Sequence, residues 1–203
     1  MKEMRIPGAI KKFVDIFSEL PGIGPRQAVR LAFYFIHEGT AFDAEASKTI
    51  ASLKNIKICR QCFYIHENPS GFCNICSDIK RNHKIIAIVE KETDLLSIES
   101  TGKFNGRYLI LGDLHKNGIL ETSQKLRMQS LKSWISEKLN GKAEEIIIAI
   151  NPTTYGDLNA SIIAKELQNF ANKVTRLGRG IPTGGEIEFA DEDTLSNALE
   201  RRI

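Results

Sequence analysis

The sequence has no long hydrophobic run and no secretory leader. No apolar stretch approaches the roughly twenty residues that a membrane-spanning helix requires. The first ten residues mix Lys2, Glu3 and Arg5 with no apolar segment, unlike a signal peptide. These absences argue against a membrane or secreted protein and predict a cytoplasmic location. A hydrophobic fraction of 42% and a charged fraction of 26% over 203 residues are typical of a globular chain with one large domain or two to three small ones.

Cysteine is scarce, and all four cysteines lie within eighteen residues. They form two C-x-x-C pairs, Cys59 with Cys62 and Cys73 with Cys76, separated by a ten-residue loop rich in turn-forming residues. Two such pairs can place four sulfur atoms at the corners of a tetrahedron, the geometry that Zn²⁺ prefers. We expect one structural zinc ion per chain, with no open position for water and therefore no chemistry of its own.

Two disulfides are the alternative interpretation of these cysteines. Disulfides need an oxidising compartment, which the N-terminal sequence does not indicate. His66 and His83 are near enough in sequence to substitute as ligands, but four cysteines already complete a zinc site. Zinc would then supply much of the free energy that folds this segment, because the segment is too short to build its own core.

Net charge is also low, at +3, but it is unevenly distributed. Residues 1–84 carry a formal charge of +5, and residues 85–203 carry −2. A basic N-terminal half favours binding to a polyanion. A chance imbalance on a solvated surface is the alternative.

Two predicted helices flank a glycine-containing turn near the N-terminus. Apolar residues recur at helical spacing over Ile10–Leu20 and again from Pro25 to about His37. The motif between them, Leu20–Pro25, reads L-P-G-I-G-P and predicts a helix-hairpin-helix. A third helix is predicted over Thr40–Asn55, with Phe42, Ala46, Ile50 and Leu53 directed inward.

The hairpin has the features of a phosphate-binding turn. Gly22 and Gly24 would let the backbone approach a phosphate, and the second helix would direct its free N–H groups at the anion. Arg26 and Arg30 are four residues apart, so they share a helix face and would neutralise neighbouring phosphates. Little sequence preference is expected, because no base-stacking platform is evident. An αα-hairpin whose turn contacts nothing is the alternative.

From Lys84 onward, short apolar strands alternate with helices. This alternation predicts a parallel sheet covered on both faces, with functional groups at the carboxyl ends of its strands. That edge should hold Glu90, Asp113, Asn151 and the loop 153–157. The predicted strands are Ile85–Val89, Tyr108–Leu111, Ile146–Ile150 and Val174–Leu177, and the predicted helices are Glu92–Thr101, Thr122–Leu139 (capped by Thr122 or Ser123) and Asp157–Phe170.

The C-terminal segment lacks the G-K-[ST] sequence of a P-loop. Its glycine-rich stretch, Gly178–Gly185, is predicted to be an irregular loop. Glu186–Phe189 alternates polar and apolar residues, which predicts an edge strand. Asp191–Arg202 predicts an amphipathic helix, whose apolar face indicates a subunit contact or, alternatively, closes its own domain.

Together, these modules and their order resemble the RecR family of bacterial recombination mediators. The resemblance implies a multi-domain α and α/β fold with a helix-hairpin-helix DNA-binding domain (1–55), a four-cysteine zinc finger (56–82), a Toprim-like parallel α/β sheet (83–178) and a C-terminal Walker-B-like assembly segment (179–203). The residues that carry it are Leu20–Pro25, Arg26, Arg30, the four cysteines, Ile88–Glu90, Thr101–Tyr108, Asn151–Thr153, Lys173–Leu177, Gly184–Asp191 and Thr194–Leu195.

The resemblance also implies a function. Such a protein would be a non-enzymatic DNA-binding clamp that acts with RecO-like and RecF-like partners to load recombinase onto gapped single-stranded DNA. It would form dimers or ring-shaped tetramers and associate with the bacterial nucleoid in the cytoplasm. Whether single-stranded, duplex or gapped DNA is preferred stays open.

Two departures from the family pattern concern the sheet edge. Toprim enzymes generally hold Mg²⁺ with a glutamate after the first strand and an Asp-x-Asp after a later one. Glu90 matches the first role, but the later loop offers Asp157 alone, with Tyr155 where an acidic residue is expected. Mg²⁺ needs several oxygen ligands, so no catalytic metal site is predicted. The loop Gly112–Glu121 is also shorter than expected, which puts partner contacts there in doubt.

Glu90 and Asp157 leave three interpretations open. They are candidates for an acidic surface that binds a basic partner, or they have no role beyond the sheet edge. Alternatively, the chain is a Toprim-type Mg-dependent nuclease or a primase-like or topoisomerase-like enzyme, for which Tyr155 would be the tyrosine nearest the edge. A zinc-knuckle interaction module with no DNA role is a further class.

Overall fold

The computed structural model describes residues 6–200 and residue 202. It divides the chain into two compact units, one that ends at Ile56 and one that begins at Lys57. The predicted boundaries of four smaller domains remain predictions. In the described part of the chain, no helix combines the length and the apolar character needed to cross a bilayer.

The first unit contains three helices with a very small buried core. Only Ile10, Ala28 and Ala32 are buried among its described residues. The unit also contains an aromatic cluster, in which the rings of Phe13 and Phe17 are stacked 3.9 Å apart. The helices are α1 (Gly8–Phe17), α2 (Pro25–Glu38) and α3 (Thr40–Ser52), and a 3₁₀ turn (Leu53–Asn55) follows α3.

Two predictions for this unit are wrong in detail. Helix α1 ends at Phe17 rather than Leu20, because the next amides, those of Glu19 and Leu20, donate to carbonyls three residues back instead of four. On α3, the predicted inward residues Ile50 and Leu53 are 56% and 64% exposed. Helical periodicity identifies an apolar face, but none of the described residues of this small unit covers Ile50 and Leu53 on that face.

The second unit begins with a short cysteine-containing segment. Two strands, β1 (Lys57–Ile58) and β2 (Ile65–His66), pair antiparallel, and a single helical turn, α4 (Asn74–Ser77), follows. We call residues 57–78 the knuckle. Phe63 adopts a left-handed backbone conformation with φ of 64°, which is uncommon outside glycine and tightens the turn after Cys62.

A four-stranded parallel sheet forms the centre of the second unit, in the order β4-β3-β5-β6. Its strands alternate with helices, which confirms the predicted fold class. The strands are β3 (Ile85–Val89), β4 (Arg107–Ile110), β5 (Ala143–Ala149) and β6 (Ala171–Arg176), and the helices are α5 (Glu92–Ser100), α6 (Thr122–Lys138), α7 (Thr154–Leu167) and α8 (Glu192–Glu200).

Both faces of the sheet are covered, as predicted. Ile86 and Ile88 of β3 point to one face, where they pack with buried residues of α6 and α7. Ala87 and Val89 point to the other face, where Leu95 of α5 and several knuckle residues cover them. Each large apolar side chain buried in this way contributes about 1.5–3 kcal/mol.

Two helix starts differ from prediction because of their caps. Helix α6 is capped by Glu121 rather than Thr122 or Ser123, since the Glu121 amide donates to the Gln124 side chain in a capping box. Helix α7 begins at Thr154 rather than Asp157. The Thr153 hydroxyl accepts a hydrogen bond from the Gly156 amide at 3.0 Å and starts the helix early.

The predicted edge strand Glu186–Phe189 is wrong. Ile187–Phe189 forms a 3₁₀ turn, and the sheet ends at β6 within the described residues. A strand needs a neighbour to complete its hydrogen bonds, and alternation alone does not provide one. The stretch Gly178–Gly185 is irregular as predicted. In the described residues, helix α8 spans Glu192–Glu200 and Arg202 is not helical, whereas Arg201 of the predicted helix lies outside the described residues.

Candidate functional site

The four predicted zinc ligands come together in one buried cluster. Their sulfur atoms all lie within 4.8 Å of one another. A tetrahedral zinc site with Zn–S distances of about 2.3 Å has sulfur atoms about 3.8 Å apart. All four cysteines are free thiols, and Cys76, the most accessible, is only 8% exposed. The geometry and chemistry of this cluster fit a closed four-thiolate zinc site.

Each sulfur atom of the cluster accepts one N–H group. The backbone amides of Tyr64, Cys73 and Cys76 donate to the sulfurs of Cys62, Cys59 and Cys73, at 3.5, 3.4 and 3.5 Å. The Cys76 sulfur accepts from the side chain of Arg107 instead, also at 3.5 Å. Such donors stabilise thiolates and orient them toward a metal. The local backbone is thus arranged to support negative charge on sulfur.

The four thiols affect one another's pKa values through their mutual hydrogen bonds. Hydrogen bonds from Cys62, Cys73 and Cys76 lower the pKa of Cys59. Hydrogen bonds to Cys59, Cys73 and Cys76, followed by burial, raise the pKa of Cys62. Four buried thiolates repel one another, so full deprotonation requires a bound cation. A divalent, sulfur-seeking metal satisfies this requirement.

The two histidines considered as substitute ligands lie outside the cluster. Among the described residues, the group of side chains that can share a metal contains the four cysteines alone. The Nε2 atom of His83 lies 3.0 Å from the Asp78 carbonyl oxygen, and the Nδ1 atom of His66 accepts from the Asn68 amide at 3.1 Å. Both side chains therefore have partners close to the cysteine segment.

The predicted helix-hairpin-helix turn forms between α1 and α2. Gly22 has a φ of +79°, which favours glycine, and Gly24 is the N-cap of α2 with Pro25 at its first position. A Cβ atom at Gly24 would meet no protein atom within 4 Å. Packing does not require a glycine there, so its absent side chain leaves the helix N-terminus open to a ligand.

Arg26 and Arg30 lie on one exposed face beside this turn. Both are exposed, and neither forms an ion pair with any residue in the described part of the chain. The first turn of α2 presents N–H groups that have no partner within the helix. Two free guanidinium groups beside such a turn form a surface suited to phosphate.

At the sheet edge, Glu90 directly follows β3 and links two loops. Its side chain accepts a hydrogen bond from the Leu114 amide at 3.0 Å, and its carbonyl accepts from the Gly112 amide at 2.9 Å. Neighbouring Lys91 pairs with Asp113 at 3.3 Å. One oxygen of Glu90 is thus engaged in holding the loop after β4.

Asp157 lies in the first turn of α7, after the strand next to β3. Arg176 donates to its Oδ1 atom at 2.6 Å, and Arg179 donates to the same atom. Hydrogen bonds from Arg179 and then from Arg176 lower the pKa of Asp157. Glu90 and Asp157 therefore have separate partners, and the carboxylate of Asp157 is already neutralised by two cations. Tyr155 is half exposed, with Lys116 above its ring.

Three arginines at these sites were not identified from the sequence. Arg107 contacts a cysteine 31 residues away, and Arg176 and Arg179 contact an aspartate 19 and 22 residues away. Arg107 lies in the stretch Thr101–Tyr108, which carries the family resemblance, and it is a charged residue at the start of an apolar strand, but neither signal indicated that it contacts a cysteine. No spacing rule connects the other two to Asp157.

Comparison with known proteins identifies the same family that the sequence motifs resemble, and the similarity extends along the whole chain. A family model described as "Toprim domain" matches residues 84–178, and one described as "RecR, C-terminal" matches residues 180–203. The chain is 39% identical over 206 residues to Recombination protein RecR of Dehalococcoides mccartyi, covering 100% of this chain and 98% of that protein.

Two further relatives carry the same name. Recombination protein RecR of Bifidobacterium animalis subsp. lactis is 38% identical over 203 residues, covering 96% of each chain. The protein of that name in Myxococcus xanthus is 34% identical over 199 residues, covering 97% of this chain and 98% of its own length. Because identity above 30% extends over almost the full length of both partners, the chain belongs to the RecR family.

Proposed function

We propose that this protein is a DNA repair and recombination mediator that acts as a non-enzymatic DNA-binding clamp. The observation that carries the proposal is its full-length similarity to proteins named Recombination protein RecR. The hairpin of the first unit, with Gly22, Gly24, Arg26 and Arg30 at an open helix N-terminus, would contact the DNA backbone. Backbone contacts of this kind bind gapped, single-stranded or duplex DNA with little sequence preference.

The clamp would be a homo-oligomer, either a dimer or a ring-shaped tetramer. The first unit supports this, because an apolar groove of about 430 Å³ runs between its helices and is lined by Phe13, Phe17, Phe35 and Ile50, among others. Ile36, which also lines the groove, is 57% exposed. A second copy would bury this surface, and several copies would bind DNA together at high effective concentration.

Replacing Ile36 by glutamate tests this assembly. The charge on the groove should shift the protein toward monomers in sedimentation velocity at micromolar concentration, because a buried carboxylate without a partner is costly. Replacing exposed Ile79, just after the knuckle, by glutamate is the matched control and should leave the distribution unchanged. A wild-type protein that sediments as a monomer would contradict the oligomeric clamp.

The pairing of Asp157 argues for a binding protein rather than an enzyme. A Toprim-type metal site needs free carboxylates, whereas Asp157 is held by Arg176 and Arg179. A divalent cation would have to displace two guanidinium groups to bind there. Glu90 and Asp157 would then serve a surface that binds a basic partner, with Glu90 as the main contact because Asp157 is already paired with two arginines.

The remaining parts of the proposal concern metal, partners and location. The four cysteines would hold one structural zinc ion per chain. RecO-like and RecF-like proteins would act with this chain to load recombinase onto gapped DNA in the bacterial cytoplasm, close to the nucleoid. A loading assay on coated gapped DNA tests the partnership, since omission of the RecO-like protein should abolish the stimulation by this chain.

Incubation with end-labelled gapped DNA, Mg²⁺ and ATP tests the central proposal. A non-enzymatic clamp should retard the DNA on a native gel and leave every strand intact on a denaturing gel. Retardation should weaken steeply with salt, because phosphate contacts release counterions. The Glu90→Gln variant should bind and retard the DNA like the wild type.

An enzyme would give the opposite result in the same experiment. New, shortened or extended strands that disappear with Glu90→Gln would show that the edge is a working Mg-dependent site, as in a Toprim-type nuclease or primase-like enzyme. Intact DNA without retardation would instead favour a zinc-knuckle interaction module with no DNA role.

A further inference from the structure

Arg107 is a buried cation at the junction of the knuckle and the sheet. It is the first residue of β4, the edge strand of the sheet, and is only 4% exposed. Its guanidinium lies 4.0 Å above the ring of Trp134 and donates to the side chain of Gln61 and to the sulfur of Cys76. In the described part of the chain, no carboxylate forms an ion pair with it.

A guanidinium in such a place requires a negative partner. Arginine stays charged in proteins, and burying an isolated charge costs several kcal/mol unless it is paired. Gln61 and the Trp134 ring are neutral groups, so they leave the charge of Arg107 uncompensated. The cysteine cluster is the anion within reach, because one Zn²⁺ with four thiolates carries a net charge of −2.

The backbone links the same two parts of the molecule. The Ile110 amide of β4 donates to the Cys62 carbonyl at 2.9 Å, so the knuckle pairs an amide on the open edge of the sheet. Phe63 packs against the apolar residues on both faces of the sheet. Arg127 lies 4.9 Å from the Phe63 ring and donates to the Ile110 carbonyl at 3.0 Å. The cysteine segment therefore contacts β4 directly, and a structural change at the cysteines would reach this strand.

We infer that Arg107 is a positioning residue for the metal centre, and that metal binding and ordering of the β4 edge are one cooperative event. With the metal bound, the thiolates compensate the buried guanidinium and the guanidinium stabilises the thiolates. Without the metal, the four sulfur ligands are no longer held together beside Arg107, and the contacts that join the knuckle to β4 lose their support. Metal loss thus destabilises the sheet as well as the knuckle. The inference rests on the proposed zinc site.

The first experiment measures the metal centre directly in the full-length protein. Arg107→Met keeps much of the length of the side chain and removes its charge, and it should weaken zinc binding about 10- to 100-fold in competition with a chromophoric chelator. In cobalt-substituted protein, the sulfur-to-cobalt charge-transfer band should move to longer wavelength, because the sulfur electrons are no longer stabilised by a positive charge. Arg107→Lys should restore part of both properties.

Arg81→Met is the matched control. Arg81 is also largely buried and close to the sheet, but it pairs with Glu99 and donates to the Gly106 carbonyl rather than to a sulfur atom. Its loss should lower stability without moving the cobalt spectrum. Equal zinc affinity and an unchanged spectrum in Arg107→Met would overturn the inference, even if that variant is less stable.

Hydrogen exchange of the wild-type protein gives a second test that needs no variant. Chelation of the metal should lower the protection of the Ile110 amide, whereas unchanged protection would contradict the coupling between metal and sheet. The experiments distinguish the proposed zinc site from the proposed role of Arg107. If the wild-type protein binds no zinc, the zinc site itself is wrong. If Arg107→Met binds zinc as tightly as the wild type, only the role of Arg107 is wrong.

Discussion

Replacing Cys62 by serine should abolish stoichiometric zinc binding and unfold the knuckle. The Cys62 sulfur is fully buried, 3.4 Å from that of Cys73. The knuckle has two strands of two residues and one helical turn, so little else holds it together. Structural zinc contributes on the order of 10 kcal/mol to the folding of small metal domains, and the expected loss of stability is therefore several kcal/mol.

Elemental analysis and thermal unfolding measure this effect in the full-length variant. His66→Gln is the control, because His66 lies in the same segment but outside the cysteine cluster. It should retain one zinc ion per chain and unfold within a few degrees of the wild type. If Cys62→Ser kept its zinc while His66→Gln lost it, a histidine would be the fourth ligand and the four-cysteine site would be wrong.

The second large effect is expected at the hairpin. The double variant Arg26→Ala, Arg30→Ala should weaken binding to gapped DNA by about 10- to 100-fold at physiological salt. Its slope of log affinity against log salt should fall by about 2, because each lost phosphate contact removes about one unit. Both side chains are exposed, so stability should change by no more than about 0.5 kcal/mol per substitution.

A charge-matched control separates contact from overall charge. Lys48 and Lys54 are exposed in the same unit but belong to α3 and the turn after it. Their double replacement by alanine removes the same net charge and should lower affinity by less than about 3-fold. Equal losses in both double variants would mean that the unit attracts DNA only through its charge. Unchanged binding in the arginine variant would refute the hairpin contact.

Much of the architecture could be predicted because it depends on neighbours in the sequence. The apolar run Ile85–Val89 forms a buried strand of the sheet, and the motif Leu20–Pro25 forms the turn before α2. In both cases, residues within one or two turns set the backbone conformation. The two C-x-x-C pairs also specify their own turns, so the clustering of the cysteines followed from their spacing.

The wrong predictions concern residues whose burial or strand pairing depends on a partner elsewhere in the chain, which the sequence pattern does not identify. Ile50 has the periodicity of a buried residue but is exposed, because periodicity defines a face without showing what covers it. Ile187 and Phe189 alternate like strand residues but form a 3₁₀ turn, since no neighbouring strand is available among the described residues. Helix α7 begins early because of a cap at Thr153, a local signal that the apolar pattern obscured.

The sequence by itself determined the family, the clustering of the four cysteines and the glycine-containing turn before α2, and it predicts zinc ligation by those cysteines and phosphate contacts by Arg26 and Arg30. These depend on residue type and short spacing, which local chemistry decides. The tertiary structure decided which charges meet. It placed Arg176 and Arg179 on Asp157, and Arg107 against Cys76. Such pairs are made by strands and loops that become neighbours only when the sheet forms. The partner of a charged side chain therefore depends on contacts between residues distant in the sequence, which no local pattern contains.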